Sequence, residues 1–324
     1  MAGFDAWILE NAALRVVVVP ELGGKVLELI DKVADRDLLW HNPRTPPRRA
    51  PYGAHFDDWW CGGWDEIFPT GDVAPLHGEL LPYMGELWSV PWSAHEEPAD
   101  DGAVAMAATA YATAAPARLE RRLELRRDEP VLRASYRLTN LDLRTLPYLW
   151  GIHPALAISP SHRIDLPARR MLVGVSSDPW MGEPGADYPW PAQPLPKSPY
   201  ARDVRRVPPR EQAVFGGHWA TDLDAGWVAL TDTLTRRGLA IIFPIDTFHA
   251  VWLWQVYGGW RGHYHLALEP WTGRPMQLDK ALEDGTASEL APQETREATV
   301  EFVIYSDLDS VSVVERDGER VTVR

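Results

Sequence analysis

Hydrophobic and polar residues alternate with a period of two along much of this chain. Over 131–139, Leu132, Ala134, Tyr136 and Leu138 alternate with Arg133, Ser135 and Arg137. Over 264–269, Tyr264, Leu266 and Leu268 alternate with His265, Ala267 and Glu269, and over 300–305 Val300, Phe302 and Ile304 alternate with Glu301, Val303 and Tyr305. A two-residue period is the mark of a strand whose two faces meet different surroundings. Similar but shorter patterns predict strands at 15–19, 26–30, 104–109, 239–243, 251–255 and 311–314. Helical periodicity is scarce, and 29 prolines and 24 glycines interrupt the chain every few residues, which suits an all-β fold with many turns. No repeat of 20–50 residues is evident, so a propeller or solenoid is disfavoured. No break in composition marks a linker, so residues 1–324 are read as one β-sandwich domain. Two long irregular segments are expected, at about 40–75 and about 178–210. Both carry aromatics (Trp59, Trp60 and Trp64; Trp180, Tyr188 and Trp190), which suits packing over a cleft; for the second, a surface excursion or an oligomer contact is the alternative.

Composition narrows the class of function. The 324 residues are 45% hydrophobic and 24% charged, an ordinary globular balance. A net charge of −14 argues against nucleic acid and against anionic membranes, both of which need clustered Lys and Arg. The basic pairs Arg121-Arg122 and Arg126-Arg127 alternate with Glu and Leu and read as a solvated strand face. A single cysteine, Cys61, allows no intrachain disulfide and fits a reducing compartment. The stretch Met1-Ala2-Gly3-Phe4-Asp5 has no basic and apolar signal pattern, and no apolar run approaches the roughly 20 residues that span a bilayer. A cytoplasmic location is therefore expected. The 16 tryptophans change the picture most. An indole offers an apolar face and a polar edge, the complement of a sugar's C–H face and hydroxyl rim; a Trp-rich core is the plainer explanation.

Three segments concentrate polar groups among aromatics and glycines. They are 62–70 (Gly62-Gly63-Trp64-Asp65-Glu66-Ile67-Phe68-Pro69-Thr70) with His77-Gly78 beyond, 147–154 ending in Gly151-Ile152-His153-Pro154, and 268–275 with Glu269-Pro270-Trp271 and Arg274. His153 sits in an apolar run, extended by the following Pro154, and is either a core histidine or a proton carrier near neutral pH. Glu269 closes a strand beside Trp271, where partial desolvation would raise its pKa and suit a base; an ion pair with an arginine such as Arg274 is the structural alternative. His77 precedes a glycine that permits a tight turn. Asp65 or Glu66 can bind sugar hydroxyls or serve a turn or salt bridge. No phosphate-binding loop, dinucleotide fingerprint or nucleophile elbow is present, and His263-x-His265 reads as a plain strand rather than a metal site.

In order and spacing these segments resemble the galactose mutarotase-like (aldose 1-epimerase) superfamily, in its divergent, uncharacterised epimerase-like branch. The resemblance covers most of the chain. Pro20-Glu21-Leu22-Gly23-Gly24-Lys25-Val26 is similar to the family's N-terminal Gly-Gly turn, and Gly62-Gly63 through Phe68-Pro69 to its active-site segment. His77-Gly78 resembles the first site histidine, the run ending in His153-Pro154 the strand with the catalytic histidine, and Leu268-Glu269-Pro270-Trp271 the strand with the catalytic glutamate. The resemblance implies a β-supersandwich and a cofactor-free isomerase that interconverts anomers of a free sugar. It makes His153 the acid and Glu269 the base. His77, Asp65, Glu66, Trp64, Trp271, Arg274 and Lys25 are the implied substrate-binding residues. The stretch Glu79-Leu80-Leu81-Pro82 lacks an Arg often found after the His-Gly pair, which disfavours a sugar phosphate. The partners expected are a monosaccharide or small sugar derivative and, as an open case, a second copy in a homodimer. Other carbohydrate chemistry on the same fold (epimerisation, keto-isomerisation, glycoside cleavage) and non-catalytic sugar binding are the alternatives.

Overall fold

A computed structural model describes residues 3–100, 102–318 and 320–324; Met1 and Ala2, part of the stretch read for a signal, lie outside them. About 50% of the chain is strand and 6% helix, so the fold is all-β. The chain forms two compact units, Met1–Pro154 with Trp271–Val300 and Ala155–Pro270 with Glu301–Arg324.

In the first unit one sheet runs in the spatial order Trp7–Glu10, Leu14–Val19, Lys25–Asp31, Trp64–Ile67 and Gly151–Leu156, the last as far as Pro154. A second sheet runs Val131–Asn140, Ala117–Arg126, Ala103–Ala112 and Ser93–Glu97, every pair antiparallel. The two sheets meet through their inward faces. Leu119, Leu123 and Leu125 of one strand and Leu132, Ala134, Tyr136 and Leu138 of the next are all at most 1% exposed. Arg121 shares that face, and corrects the reading of 121–127 as a solvated strand face. It is 1% exposed, pairs across the ladder with Tyr136, and reaches Glu66 on the opposing sheet with Nη1 at 3.2 Å. The two-residue period put Arg121 in line with the leucines; burial of the charge became tolerable because a carboxylate faces it.

In the second unit Tyr264–Trp271 (as far as Pro270), Ala250–Tyr257, Val214–Leu223, Ala168–Ser176 and Asp187–Pro189 are successive neighbours in a sheet. His162–Asp165, Trp227–Asp232, Arg237–Ile242 and the second half of Thr295–Ser306 form another. The short hairpin of Ala192–Pro194 with Ala201–Asp203 stands apart.

The strands predicted from alternation appear, with one exception. Of 311–314, only Val314 enters a strand, Val314–Asp317. The Val311 N–H instead donates to the Asp165 carboxylate at 3.0 Å, which takes it out of any ladder. The two segments read as irregular hold more order than expected. A helical turn, Phe56–Trp59, and a fully buried strand, Trp64–Ile67, lie in 40–75. Three short strands and a 3₁₀ turn capped by Asp178 lie in 178–210. Among the described residues no helix is long and apolar enough to cross a membrane.

Replacing Arg121 by Met removes the cation that faces Glu66 while keeping the bulk of the stem. The variant is expected to lose about 3–5 kcal/mol of stability in chemical denaturation, because it strands a buried carboxylate. Adding Glu66→Gln to the same chain should restore part of that loss; an additive second loss would show that the pair is not coupled.

Candidate functional site

The strand Trp64–Ile67 organises the first unit's polar groups. Successive side chains on a strand point to opposite faces, so Asp65 faces one way and Trp64 and Glu66 the other. His153 lies directly opposite Asp65 in the antiparallel pair with Gly151–Leu156, and directly opposed residues share a face. The Lys25 ammonium reaches both Asp65 oxygens at 2.5 Å and the Gly62 carbonyl at 3.0 Å. Trp60 Nε1 donates to Asp65 at 3.2 Å, and its ring stands edge-on to the His153 imidazole at 5.3 Å. Phe56 closes a second side of that imidazole at 5.7 Å. Lys25, Asp65, Trp60, Phe56 and His153 are all buried.

The glycine doublet makes this arrangement possible. Gly62 and Gly63 adopt φ of 88° and 83°, where L side chains are strained. A Cβ on Gly62 would sit 2.0 Å from the Trp40 carbonyl oxygen, and one on Gly63 2.8 Å from that of Val26. The doublet thus lets the chain turn against its neighbours and present the Gly62 carbonyl to Lys25.

Burial sets the electrostatics. It pushes the Asp65 carboxyl up, against the pull of Lys25 and of the Trp60 N–H. It holds the His153 imidazole down at about 3, with the Lys25 charge acting in the same direction. His153 is therefore neutral through the physiological range. A small pocket of about 20 Å³, room for about one water molecule, lies beside Lys25 and Trp60, with Trp59, Trp88, Arg48 and Glu21 among its walls. The Arg48 guanidinium lies over the Trp59 ring at 4.2 Å. Indoles, a guanidinium and an ammonium already paired with Asp65 thus share one small, partly polar opening.

The remaining residues singled out in the sequence fall elsewhere. Glu66 is spent on structure: Arg121, Tyr136 Oη at 2.7 Å and Trp150 Nε1 at 3.0 Å all donate to it. Trp64 shares that inward face, is 0% exposed, and stacks with Arg121 at 5.4 Å, so neither ring face is open to a sugar. Trp271 is likewise 0% exposed. Its indole lies so close to the Gly151 backbone that a Cβ there would meet the ring at 2.3 Å. That approach is the reason for a glycine two residues before His153. His77 and Gly78 are the two positive-φ residues of a hairpin turn between Ala74–Leu76 and Glu79–Leu81, and the His77 side chain is exposed. The turn accounts for both residues without a ligand. Arg274 is half-buried; its carbonyl accepts from Thr286 Oγ1. Glu269 belongs to the second unit, where it is fully buried on the strand Tyr264–Trp271.

Sequence reasoning passed over Phe56 and noted Trp60 only as part of a cluster. Nothing in the spacing of Trp59, Trp60 and Trp64 tells which indole turns toward a histidine about ninety positions on.

No protein-family model matches the chain. Solved structures do. A galactose mutarotase-like protein from Lactobacillus casei is 15% identical, with 93% of this chain and 100% of that one covered, at a TM-score of 0.63. A galactose mutarotase-like protein from Clostridium acetobutylicum is 13% identical over 94% and 96%, at 0.64. The Slr1438 protein from Synechocystis sp. PCC 6803 is 19% identical over 94% and 96%, at 0.68. At these identities the likeness establishes the fold: the chain is a galactose mutarotase-like β-supersandwich, as the sequence motifs implied.

A histidine kept neutral by burial ties stability to pH. Its folded pKa lies below the unfolded value, so between about pH 6.5 and 3 the unfolded chain binds a proton that the folded chain refuses. Stability is then lost as pH falls through that window, by up to about 1.4 kcal/mol per pH unit for each such residue. Thermal unfolding between pH 7 and 4 should show this slope, and His153→Asn should flatten it. An unchanged slope in the variant would mean that His153 is not held neutral.

Proposed function

We propose that the protein is a carbohydrate isomerase of the aldose 1-epimerase type, interconverting the anomers of a free sugar by acid–base catalysis. The observation that carries this reading is the imidazole of His153. It is fixed opposite Asp65 of the Asp65–Lys25 pair, shielded by Phe56 and Trp60, and held neutral by burial and the Lys25 charge. Such a ring is a fixed hydrogen-bonding group in a dry setting, where polar contacts are strong. The fold likeness and the sequence motifs support the same reading.

Mutarotation opens a cyclic hemiacetal and recloses it on the other face of the carbonyl. By the sequence resemblance alone, Glu269 is the base that takes the proton of the anomeric hydroxyl as the bond from C1 to the ring oxygen breaks. His153 donates its N–H to the departing ring oxygen, because an alkoxide is basic enough to accept a proton from a neutral imidazole. Rotation about the C1–C2 bond presents the other carbonyl face. Closure returns both protons, one from Glu269 to O1 and one from the sugar hydroxyl to the imidazole nitrogen. Each positioned acid or base contributes roughly 10²–10⁴-fold, enough for a reaction that already proceeds in water. Burial and the Lys25 charge keep His153 neutral; His77, Trp64, Glu66 and Trp271 have no part in this reading.

The test uses free aldohexoses and aldopentoses, with anomer exchange followed by polarimetry and NMR. Glu269→Gln is expected to lower the rate by about 10²–10⁴-fold with the fold retained. Full activity of that variant on every responsive sugar would exclude Glu269 as base. With His153 working from its neutral form, kcat/KM should show no descending limb near pH 6.5. A descending limb near pH 6.5 that vanishes in His153→Asn would instead make the imidazolium the acid. A mutarotase leaves C–H positions unlabelled in D₂O, so deuterium entering at carbon would point to a keto-isomerase.

A further inference from the structure

The second unit holds a half-buried cation that, among the described residues, has no anion beside it. Arg202 lies on the short strand Ala201–Asp203, directly across from Gln193. Its guanidinium stacks on the Trp180 ring at 4.0 Å, and Nη1 donates to the Met181 sulfur at 3.2 Å. Nε and Nη2 are closed off from solvent and meet no acceptor. Among the described residues no carboxylate comes within ion-pair distance of it.

The groups around it are mostly donors without acceptors. Gln255 accepts from Tyr257 Oη at 3.3 Å through its oxygen, which leaves its buried Nε2 unpartnered. Tyr188 and His218 are joined at 2.6 Å through Nδ1 of the imidazole. Burial keeps Tyr188 protonated and His218 neutral, so the phenol donates to Nδ1 and the remaining ring proton sits on Nε2. The Met181 carbonyl lies near that ring, but no N–H lines up on it. Gln193 donates to the Trp180 carbonyl at 3.1 Å, and its Oε1 is the one unpartnered acceptor of the group. The Arg202 charge acts on Tyr188, His218 and Tyr257 alike, which places it among them.

An arginine does not discharge itself by losing its proton, and guanidinium N–H groups shut off from both water and acceptors are costly to leave unpaired. Unsatisfied N–H groups on Arg202, Gln255 and His218 ask for a negative partner. We infer that this cluster is a binding site for a small monovalent anion, of the size and chemistry of chloride, which neutralises Arg202 and ties the 178–210 segment to the sheet beneath it. The Gln193–Arg202 pair brings that segment to the site; Tyr257 and Gln255 come from the strand Ala250–Tyr257 and His218 from Val214–Leu223.

The experiment is halide-dependent. Crystals of the full chain soaked in sodium bromide should show an anomalous peak within hydrogen-bonding reach of Arg202 Nε and Nη2. In solution the melting temperature should rise by about 2–6 °C when sodium gluconate, too large to enter, is replaced by sodium chloride at equal ionic strength. Arg202→Met keeps the stem over Trp180 and should abolish that rise. Absence of bromide at Arg202 in soaked crystals overturns the inference whether or not the variant folds, and so does a chloride effect of equal size in a folded Arg202→Met protein.

Discussion

Two carboxylates that stand side by side in the chain, Asp65 and Glu66, are both 0% exposed, and the first unit is arranged around the need to neutralise them. Strand geometry sends them to opposite faces, so one cation cannot serve both. Lys25 meets Asp65 from the neighbouring strand, and Arg121 meets Glu66 from the opposing sheet. An unpaired buried carboxylate costs several kcal/mol. A slip of either ladder by one residue would turn both acids to the wrong faces at once. Register in the strand Trp64–Ile67 is thus held by charge as well as by apolar packing.

The same pairing divides chemistry from structure. On the inward face Glu66 is saturated by Arg121, Tyr136 and Trp150 and ties two sheets together. On the other face Asp65 and Lys25 bear on His153, and Phe56 and Trp60 shut water away from it. Lys25 and burial act together to keep the imidazole neutral. A neutral ring beside an ion pair already paired with itself leaves this face polar without a net charge of its own.

Much of the fold was legible along the chain because half-buried strands advertise themselves. Over 131–139 the buried Leu132, Ala134, Tyr136 and Leu138 alternate with a face on which Ser135 and Arg137 reach solvent, and a strand stands there. Where both faces of a strand are buried, the pattern no longer tells which face a polar residue takes. All four residues of Trp64–Ile67 are buried, so no alternation separates Asp65 from Glu66, and the two were grouped as equals although their roles differ. Arg121 failed for the opposite reason: its charge argued for solvent while its phase in the pattern argued for the core, and phase prevailed once Glu66 was opposite. The tryptophans mislead in a related way. Trp64 and Trp271 flank the conspicuous motifs but are packed against Arg121 and Gly151, whereas Trp60, with no motif around it, touches His153. His77-Gly78 carries a motif's appearance for a local reason, since a hairpin turn with two positive φ angles accepts that pair.

By itself the sequence determined the all-β class, the positions of most strands, and the small set of segments in which buried polar groups gather. These follow from local physics: side-chain alternation, the φ limits of proline and glycine, and the spacing of hydrophobic residues. Which polar group meets which was decided only by the tertiary structure. Lys25 and Asp65 are forty positions apart and Arg121 and Glu66 fifty-five. Partners at that separation are selected by sheet register and by the cost of leaving a buried charge unmatched, and neither leaves a trace in the local pattern of the chain.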